Sequence, residues 1–294
     1  MRPAATLSFF GLGLVVVFGS ALGLGGAVGP VARSEPTGPS GHASMQDPHV
    51  SRAGATPAGL AISEAGWTLR LVDHTVPAGR DVPLRFTVEG PDGAAETSYV
   101  ETHTKDLHLI VVRRDLSSFQ HVHPTLAADG TWSVPVDLAA GGVYRVLADF
   151  RPTAADRQLV LGADLMVPGE FEPVDPPAPR ATATATDGYT VTLTAHPVAG
   201  RESDLVLSVR KGGTPVTDLQ PYLGAYGHLV ALRAGDLAYL HTHPEGTVSG
   251  ASGGGPDVAF MTTFPTTGTY RLFLDFKADG VVRTAAFTVA VGDE

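Results

Sequence analysis

The feature that most restricts the fold of this chain is a long internal repeat. The segment HLIVVRRDLSSFQHVHP (108–124) returns as HLVALRAGDLAYLHTHP (228–244), a shift of 120 positions that keeps all three histidines in place. Downstream, YRVLADF (144–150) returns as YRLFLDF (270–276), and the larger shift of 126 positions reflects a longer loop in the second copy. Solenoid repeats have only about 20 to 45 residues. A repeat of this length therefore predicts two tandem domains with the same fold.

Each copy has the local pattern of a β-sandwich. Short apolar runs such as WTLRLVDH, LHLIVVRR and GVYRVLADF alternate with Gly, Pro and Asp, and no segment after the N-terminal region has a helical period. Strands separated by turn residues at this spacing are typical of immunoglobulin-like sandwiches. The sequence therefore predicts an all-β fold with two tandem immunoglobulin-like β-sandwich domains, at 59–170 and 188–294. The Pro-rich segment 171–187 is predicted to link them.

The N-terminal region is predicted to place these domains outside the cytoplasm. No charged residue occurs from Ala4 to Val28, and a run of this length is either a secretory signal peptide or a single transmembrane helix. We therefore assign residues 1–32 to a hydrophobic helix that is a signal peptide or membrane anchor. Residues 33–58 are predicted to be a flexible linker rich in His, Pro and Gly. The expected protein is extracytoplasmic, either membrane-anchored or secreted.

Composition excludes several kinds of function. The chain contains no cysteine, which excludes disulfides, thiolate metal sites and thiol nucleophiles. Its formal net charge of −10 argues against nucleic acid as a partner. No Ser-His-Asp motif, phosphate-binding glycine loop or carboxylate pair stands out, so we expect a protein that is not an enzyme.

The repeated histidines are the strongest functional signal in the sequence. Side chains alternate along a strand, so His121 and His123 share one face. A tight hairpin would place His108 directly opposite His123, with Cβ atoms about 5 Å apart, and the same register pairs His228 with His243. Three converging imidazoles suit zinc(II) or copper(II), bound through neutral nitrogen. The predicted metal ligands are His108, His121, His123, His228, His241 and His243.

Neighbouring residues leave two questions open. Asp149 and Asp275 recur in the YRxxxDF strands and could be a fourth ligand, the acceptor that orients an imidazole, or solvated strand ends. The face that carries the histidines is otherwise apolar, so the triads could instead be structural, bonding to each other and to nearby backbone. His103 has Leu223 as its counterpart and therefore lies outside the repeated pattern.

The segments PVTDLQPYLGAYGHLVALRAGDLAYLHTHPEG and FPTTGTYRLFLDFKADGVVRTAAFTVAV carry a family resemblance that extends over both repeats. The chain resembles bacterial secreted or membrane-tethered proteins, common in actinobacteria, with YtkA-like, immunoglobulin-like domains associated with metal handling. More remotely, it is similar to CopC-type copper-binding proteins, although it has no histidine at an evident mature N-terminus. The resemblance implies the six repeated histidines as the positions to test.

These observations predict a non-catalytic protein that binds a divalent metal ion, copper(II) or zinc(II), with one site per domain. It would buffer the metal or deliver it to an envelope metal transporter or another membrane protein. The alternative is a structural or protein-interaction module of the cell envelope. A minor alternative is a metallohydrolase, because HTHP with Ser249, Ser252 and Asp257 is similar to the motif of JAMM metalloproteases, although the spacing differs and the first copy lacks these serines.

Overall fold

The computed structural model describes residues 56–244 and 253–293, apart from the side chains of His241 and His243. In this part of the chain the fold is all-β, with two tandem immunoglobulin-like β-sandwiches inside one compact unit. The predicted fold class is confirmed for these residues. The hydrophobic N-terminal segment lies outside them. Among the described residues, no helix is long and apolar enough to cross a membrane.

The first sandwich consists of two sheets. Its strands are β1 (Ser63–Glu64), β2 (Trp67–Leu71), β3 (Gly79–Glu89), β4 (Leu107–Arg113), β5 (Gln120–Val122), β6 (Thr125–Leu126), β7 (Trp132–Leu138), β8 (Gly142–Phe150) and β9 (Leu159–Val167). One sheet has the order β1-β2-β3-β7-β6 and the other β5-β4-β8-β9. With β2, β3, β7 and β6 as strands A, B, E and D, and β4, β8 and β9 as C, F and G, this is the strand order of an immunoglobulin domain.

The second sandwich repeats this order. Its strands are β10 (Thr182–Thr184), β11 (Tyr189–Ala195), β12 (Glu202–Lys211), β13 (Thr214–Pro215), β14 (Gly227–Arg233), β15 (Tyr239–His241), β16 (His243–Pro244), β17 (Asp257–Thr263), β18 (Gly268–Ala278) and β19 (Val281–Val291). Its sheets are β10-β11-β12-β17-β16, with β13 on β12, and β15-β14-β18-β19. Strand β10, which pairs with β11, lies inside the segment 171–187 that was predicted to be the linker.

Each sandwich carries a tyrosine at the same corner. The buried Tyr144 donates its hydroxyl hydrogen to the carbonyl oxygen of Ala140 at 3.0 Å. Tyr270 donates in the same way to the carbonyl oxygen of Thr266 at 3.1 Å. This arrangement at the start of strand F is the tyrosine corner of immunoglobulin-like domains. The two copies therefore share a local detail of the fold as well as its strand order.

A third apolar cluster lies between the two sandwiches, in addition to the core inside each one. All seven residues of β4 are buried, because one face of the strand lines its own core and the other faces the second domain. The rings of Phe119 and Phe273 stack here with centroids 3.8 Å apart. The sheets that contain β4 and β14 therefore pack against each other, and the apolar face that carries the histidines is the face between the domains.

The segment before β1 closes one side of this interface. The Gly59 amide donates to the carbonyl oxygen of Val160 at 2.9 Å, and the Tyr239 amide of the second domain donates to that of Ala58 at 2.9 Å. Gly59 has φ +77°, and a Cβ at this position would lie 2.7 Å from a methyl carbon of Leu147. Only glycine combines this backbone conformation with such close packing.

Candidate metal site between the domains

The hairpin of β4 and β5 has the register that the sequence predicted. Ile110 pairs with His121 and Leu109 with Val122, so His108 is next in line opposite His123. The second hairpin begins in the same register, with Val230 opposite His241. It then departs from the repeat. In the first copy the chain joins the other sheet only at Thr125, in β6, whereas in the second copy it joins already at His243, which pairs with Met261 of β17. The side chains of the second pair of histidines lie outside the described structure.

The three histidines of the first copy converge on one point. His108 Nδ1 lies 3.1 Å from His121 Nε2 and 3.2 Å from His123 Nε2. The ring centroids are 5.3 Å apart for His108 and His121, 5.0 Å for His108 and His123, and 4.9 Å for His121 and His123. One nitrogen of each ring lies within 4.8 Å of the others, which is close enough for the three to contact one metal ion.

Hydrogen bonds on the outer side of two rings fix which nitrogens face this point. His108 Nε2–H donates to the carbonyl oxygen of Thr102 at 3.0 Å, which leaves Nδ1 with its lone pair. His121 Nδ1–H donates to Asp275 Oδ2 at 2.8 Å, which leaves Nε2 with its lone pair. The first acceptor comes from a turn before β4, in which Thr102 and Lys105 bond to each other. The second comes from the other domain.

Burial keeps two of these imidazoles, His108 and His123, neutral by lowering their pKa values. Removal from water is the main reason that the pKa of His108 falls to about 4, and the neighbouring His121 contributes to the same shift. Removal from water is again the main cause for His123, whose pKa falls to about 2, with His121 and His108 adding to the effect. Near pH 7 both rings therefore present lone pairs, which are the groups that bind a metal ion.

The two aspartates are buried at matched positions. Asp275 is 4% exposed and its Oδ1 accepts from the Thr284 hydroxyl at 2.5 Å, while Oδ2 accepts from His121. Asp149 is 1% exposed; its Oδ1 accepts from the Gln158 amide and its Oδ2 from the Tyr239 hydroxyl at 2.9 Å. Neither aspartate is a solvated strand end. Each uses one oxygen inside its own domain and the other across the domain interface.

The second domain brings His228 close to the triad. Its Nε2–H points at the carbonyl oxygens of Tyr222 and Leu223, at 3.0 and 3.2 Å, as His108 does with Thr102. Its ring centroid lies 6.2 Å from that of His108 and 6.4 Å from that of His121. Burial, followed by the charge of nearby imidazoles, lowers the pKa of His228 to about 3.

A small cavity of about 20 Å³ lies among these groups, which is room for one water-sized particle. Both domains line it. The residues are His103, His108, His121, Asp149, His228, Leu229, Val230, Tyr239 and Thr242.

Sequence reasoning missed His103. Its ring lies 5.1 Å from that of His228 and 6.0 Å from that of His108, although no histidine occupies the matching position, Leu223. Both residues have positive φ, 49° and 55°, in the turns that supply the carbonyl acceptors. That shared turn is the signal that could have placed His103 beside the site.

Comparisons with known proteins identify the family but no activity. A family model described as a domain of unknown function matches the chain twice, over residues 62–163 and 183–293. No curated protein matches the chain.

Solved structures with similarity include two bacterial proteins. The Escherichia coli adhesin FdeC is 13% identical, with 78% of this chain and 66% of that one covered and a TM-score of 0.25. InvD of Yersinia pseudotuberculosis is 11% identical, with coverage of 79% and 59% and a TM-score of 0.23. The chain thus spans less than two thirds of either structure. TM-scores this low do not establish a shared fold or function. The assignment of an immunoglobulin-like fold is based on the strand order.

Proposed function

The chain belongs to the DUF8832 family, a family of domains of unknown function, and we propose from the site itself that it is a non-catalytic protein that binds a divalent metal ion. The ligands would be His108 Nδ1, His121 Nε2 and His123 Nε2, with Asp275 orienting His121. A carboxylate that accepts the outer N–H of a metal-bound imidazole is a recurrent feature of such sites.

One observation carries this proposal. His108 Nδ1 and His121 Nε2 are 3.1 Å apart, and each has its outer nitrogen committed as a donor. In the neutral state two lone pairs therefore face each other with no hydrogen between them. A cation removes this repulsion and also offsets the negative charge of the buried Asp275, which bonds to His121.

The spacing of the rings matches that of imidazoles around one metal ion. A metal–nitrogen bond of about 2.0–2.1 Å places ligand nitrogens about 3.3 Å apart and ring centroids about 5.2 Å apart around a tetrahedral ion. The triad has two nitrogen separations of 3.1 and 3.2 Å and centroid separations of 4.9 to 5.3 Å. Only small movements would seat an ion.

The ligand type favours copper(II) or zinc(II). Imidazole suits both ions, and a chain without cysteine has no thiolate to favour copper(I) or an iron–sulfur cluster. The resemblance to YtkA-like and CopC-type proteins supports copper before zinc. The same resemblance and the uncharged N-terminal run support a location outside the cytoplasm, where the protein would buffer the ion or pass it to an envelope transporter.

The second candidate is a structural module in which a shared proton joins the histidines. The observation that favours it is their place in a built interface, next to the stacked rings of Phe119 and Phe273. In this case the triad would hold the domains together and metal ions would have no effect on the protein.

Calorimetric titration of the full chain with Cu²⁺ and with Zn²⁺ distinguishes the two candidates. We expect saturable binding that is lost in His121→Ala and kept in His74→Ala, because His74 is an exposed histidine outside the site. Circular dichroism would verify that the variants are folded. Absence of binding by the parent chain would reject the metal function and leave the structural module.

A further inference from the structure

His228 has the properties of a ligand although it belongs to the other domain. It is 7% exposed, and its Nε2 faces two backbone carbonyl oxygens, so the neutral ring carries its lone pair on Nδ1. His108, its counterpart in the repeat, uses the same nitrogen toward the triad. Thus the triad supplies three ligand nitrogens from the first domain, and His228 offers one more from the second.

The distances show how far His228 lies from a shared ion. Its ring centroid is 6.2 Å from that of His108 and 6.4 Å from that of His121, against about 5.2 Å for two imidazoles on one tetrahedral ion. The space between them is the cavity of about 20 Å³, lined by all three of these histidines. A closure of about 1 Å would therefore move His228 into an existing void.

The two domains are already joined at this point by polar contacts. Asp275 of the second domain accepts from His121, and Tyr239 of the second domain donates to Asp149. These bonds fix the relative position of the sheets beside the cavity. A fourth ligand from the second domain would thus come from a surface that is held in register with the triad.

We propose that the metal ion is held between the two sandwiches, with His108, His121 and His123 of the first domain and His228 of the second as its four ligands. The proposal rests on the proposed function and replaces one site per domain with a single composite site per chain. A closed set of four protein ligands has no open position for substrate, as in structural zinc sites. It would also add a metal-mediated link to the existing contact between the two domains.

The test uses Zn²⁺ as the probe on the full chain, with calorimetry for stoichiometry and zinc-edge X-ray absorption for the number of imidazoles. We expect one equivalent and four imidazoles in the parent. His228→Ala should weaken binding by more than about 100-fold, beyond the 10- to 100-fold typical of outer hydrogen-bond partners, and should leave three imidazoles. His241→Ala, at a repeated histidine outside the proposed set, should keep one equivalent and four imidazoles.

The outcomes separate this inference from the proposed function. If the parent binds Zn²⁺, His121→Ala abolishes binding and His228→Ala changes neither affinity nor imidazole number, the triad is a metal site and the composite site is refuted. The composite site would also be refuted if the parent bound two equivalents of Zn²⁺ and each of the variants His228→Ala and His241→Ala bound only one. That result would favour one site per domain. If the parent binds Cu²⁺ but not Zn²⁺, the composite site falls and the proposed function stands; if it binds neither ion, both fall. His196→Ala, at an exposed histidine, is the control for nonspecific binding.

Discussion

Replacing Asp275 by asparagine tests how the second domain controls a histidine of the first. Asp275 is 4% exposed and accepts from His121 Nδ1–H at 2.8 Å and from the Thr284 hydroxyl at 2.5 Å. Asparagine keeps the size of the side chain but removes its charge, and its amide group can donate to His121 Nδ1. A ring that accepts there must carry its proton on Nε2, the nitrogen that faces the triad.

The expected magnitude follows from the role of such carboxylates. Loss of an outer partner of a metal-bound histidine typically costs about 10- to 100-fold in metal affinity, which corresponds to about 1.4 to 2.7 kcal/mol. We therefore expect Asp275→Asn to weaken Zn²⁺ binding by this factor in a competition titration with a chromophoric chelator. The stoichiometry should stay unchanged, because the three triad nitrogens are still present.

Asp149→Asn is the matched control. Asp149 is equally buried and also bonds across the interface, where it accepts from the Tyr239 hydroxyl. Its replacement should change the affinity by less than about 3-fold, since the orientation of His121 stays fixed. Equal losses in both variants would refute the reasoning, because the effect would then come from the charge of the interface as a whole.

Three further predictions concern the metal-free protein. Burial lowers the pKa of His108 to about 4, of His228 to about 3 and of His123 to about 2, from 6.5. Below pH 6.5 the unfolded chain therefore binds more protons than the folded chain. We expect the free energy of unfolding, measured in urea, to be constant above that pH and to fall toward pH 4 by up to about 4 kcal/mol per pH unit. A flat profile would contradict buried neutral rings. Phe273→Ala should cost about 3 to 5 kcal/mol in the same assay, because the ring is 3% exposed in the interface; a loss below about 1 kcal/mol would mean that the domains do not pack there. Tyr144→Phe should cost about 1 kcal/mol by removing the corner hydrogen bond, and an unchanged midpoint would show that water replaces it.

The sequence predicted those parts of the site that depend on local pairing. The hairpin register of His108 and His123 follows from strand alternation and a short turn, and the structure has that register. The partnership of His121 with Asp275 spans 154 positions and depends on how two finished sheets pack, which no local pattern encodes. The apolar residues that share the histidine face, such as Ile110 and Val230, were a sign of this packing. The departure of His243 toward Met261 depends on where an edge strand changes sheets.

The packing of the sheets that contain β4 and β14 brings His108 next to His228, its own counterpart in the repeat. Contact between two equivalent surfaces is also found in a twofold-symmetric homodimer, where every substitution appears on both sides of the interface. Here the two halves belong to one chain, so each half can change alone. Phe119 stacks on Phe273 while its counterpart Tyr239 donates to Asp149, and His103 has a leucine as its counterpart. Covalent linkage thus permits one centre with unlike sides, an asymmetry that two identical subunits could not encode.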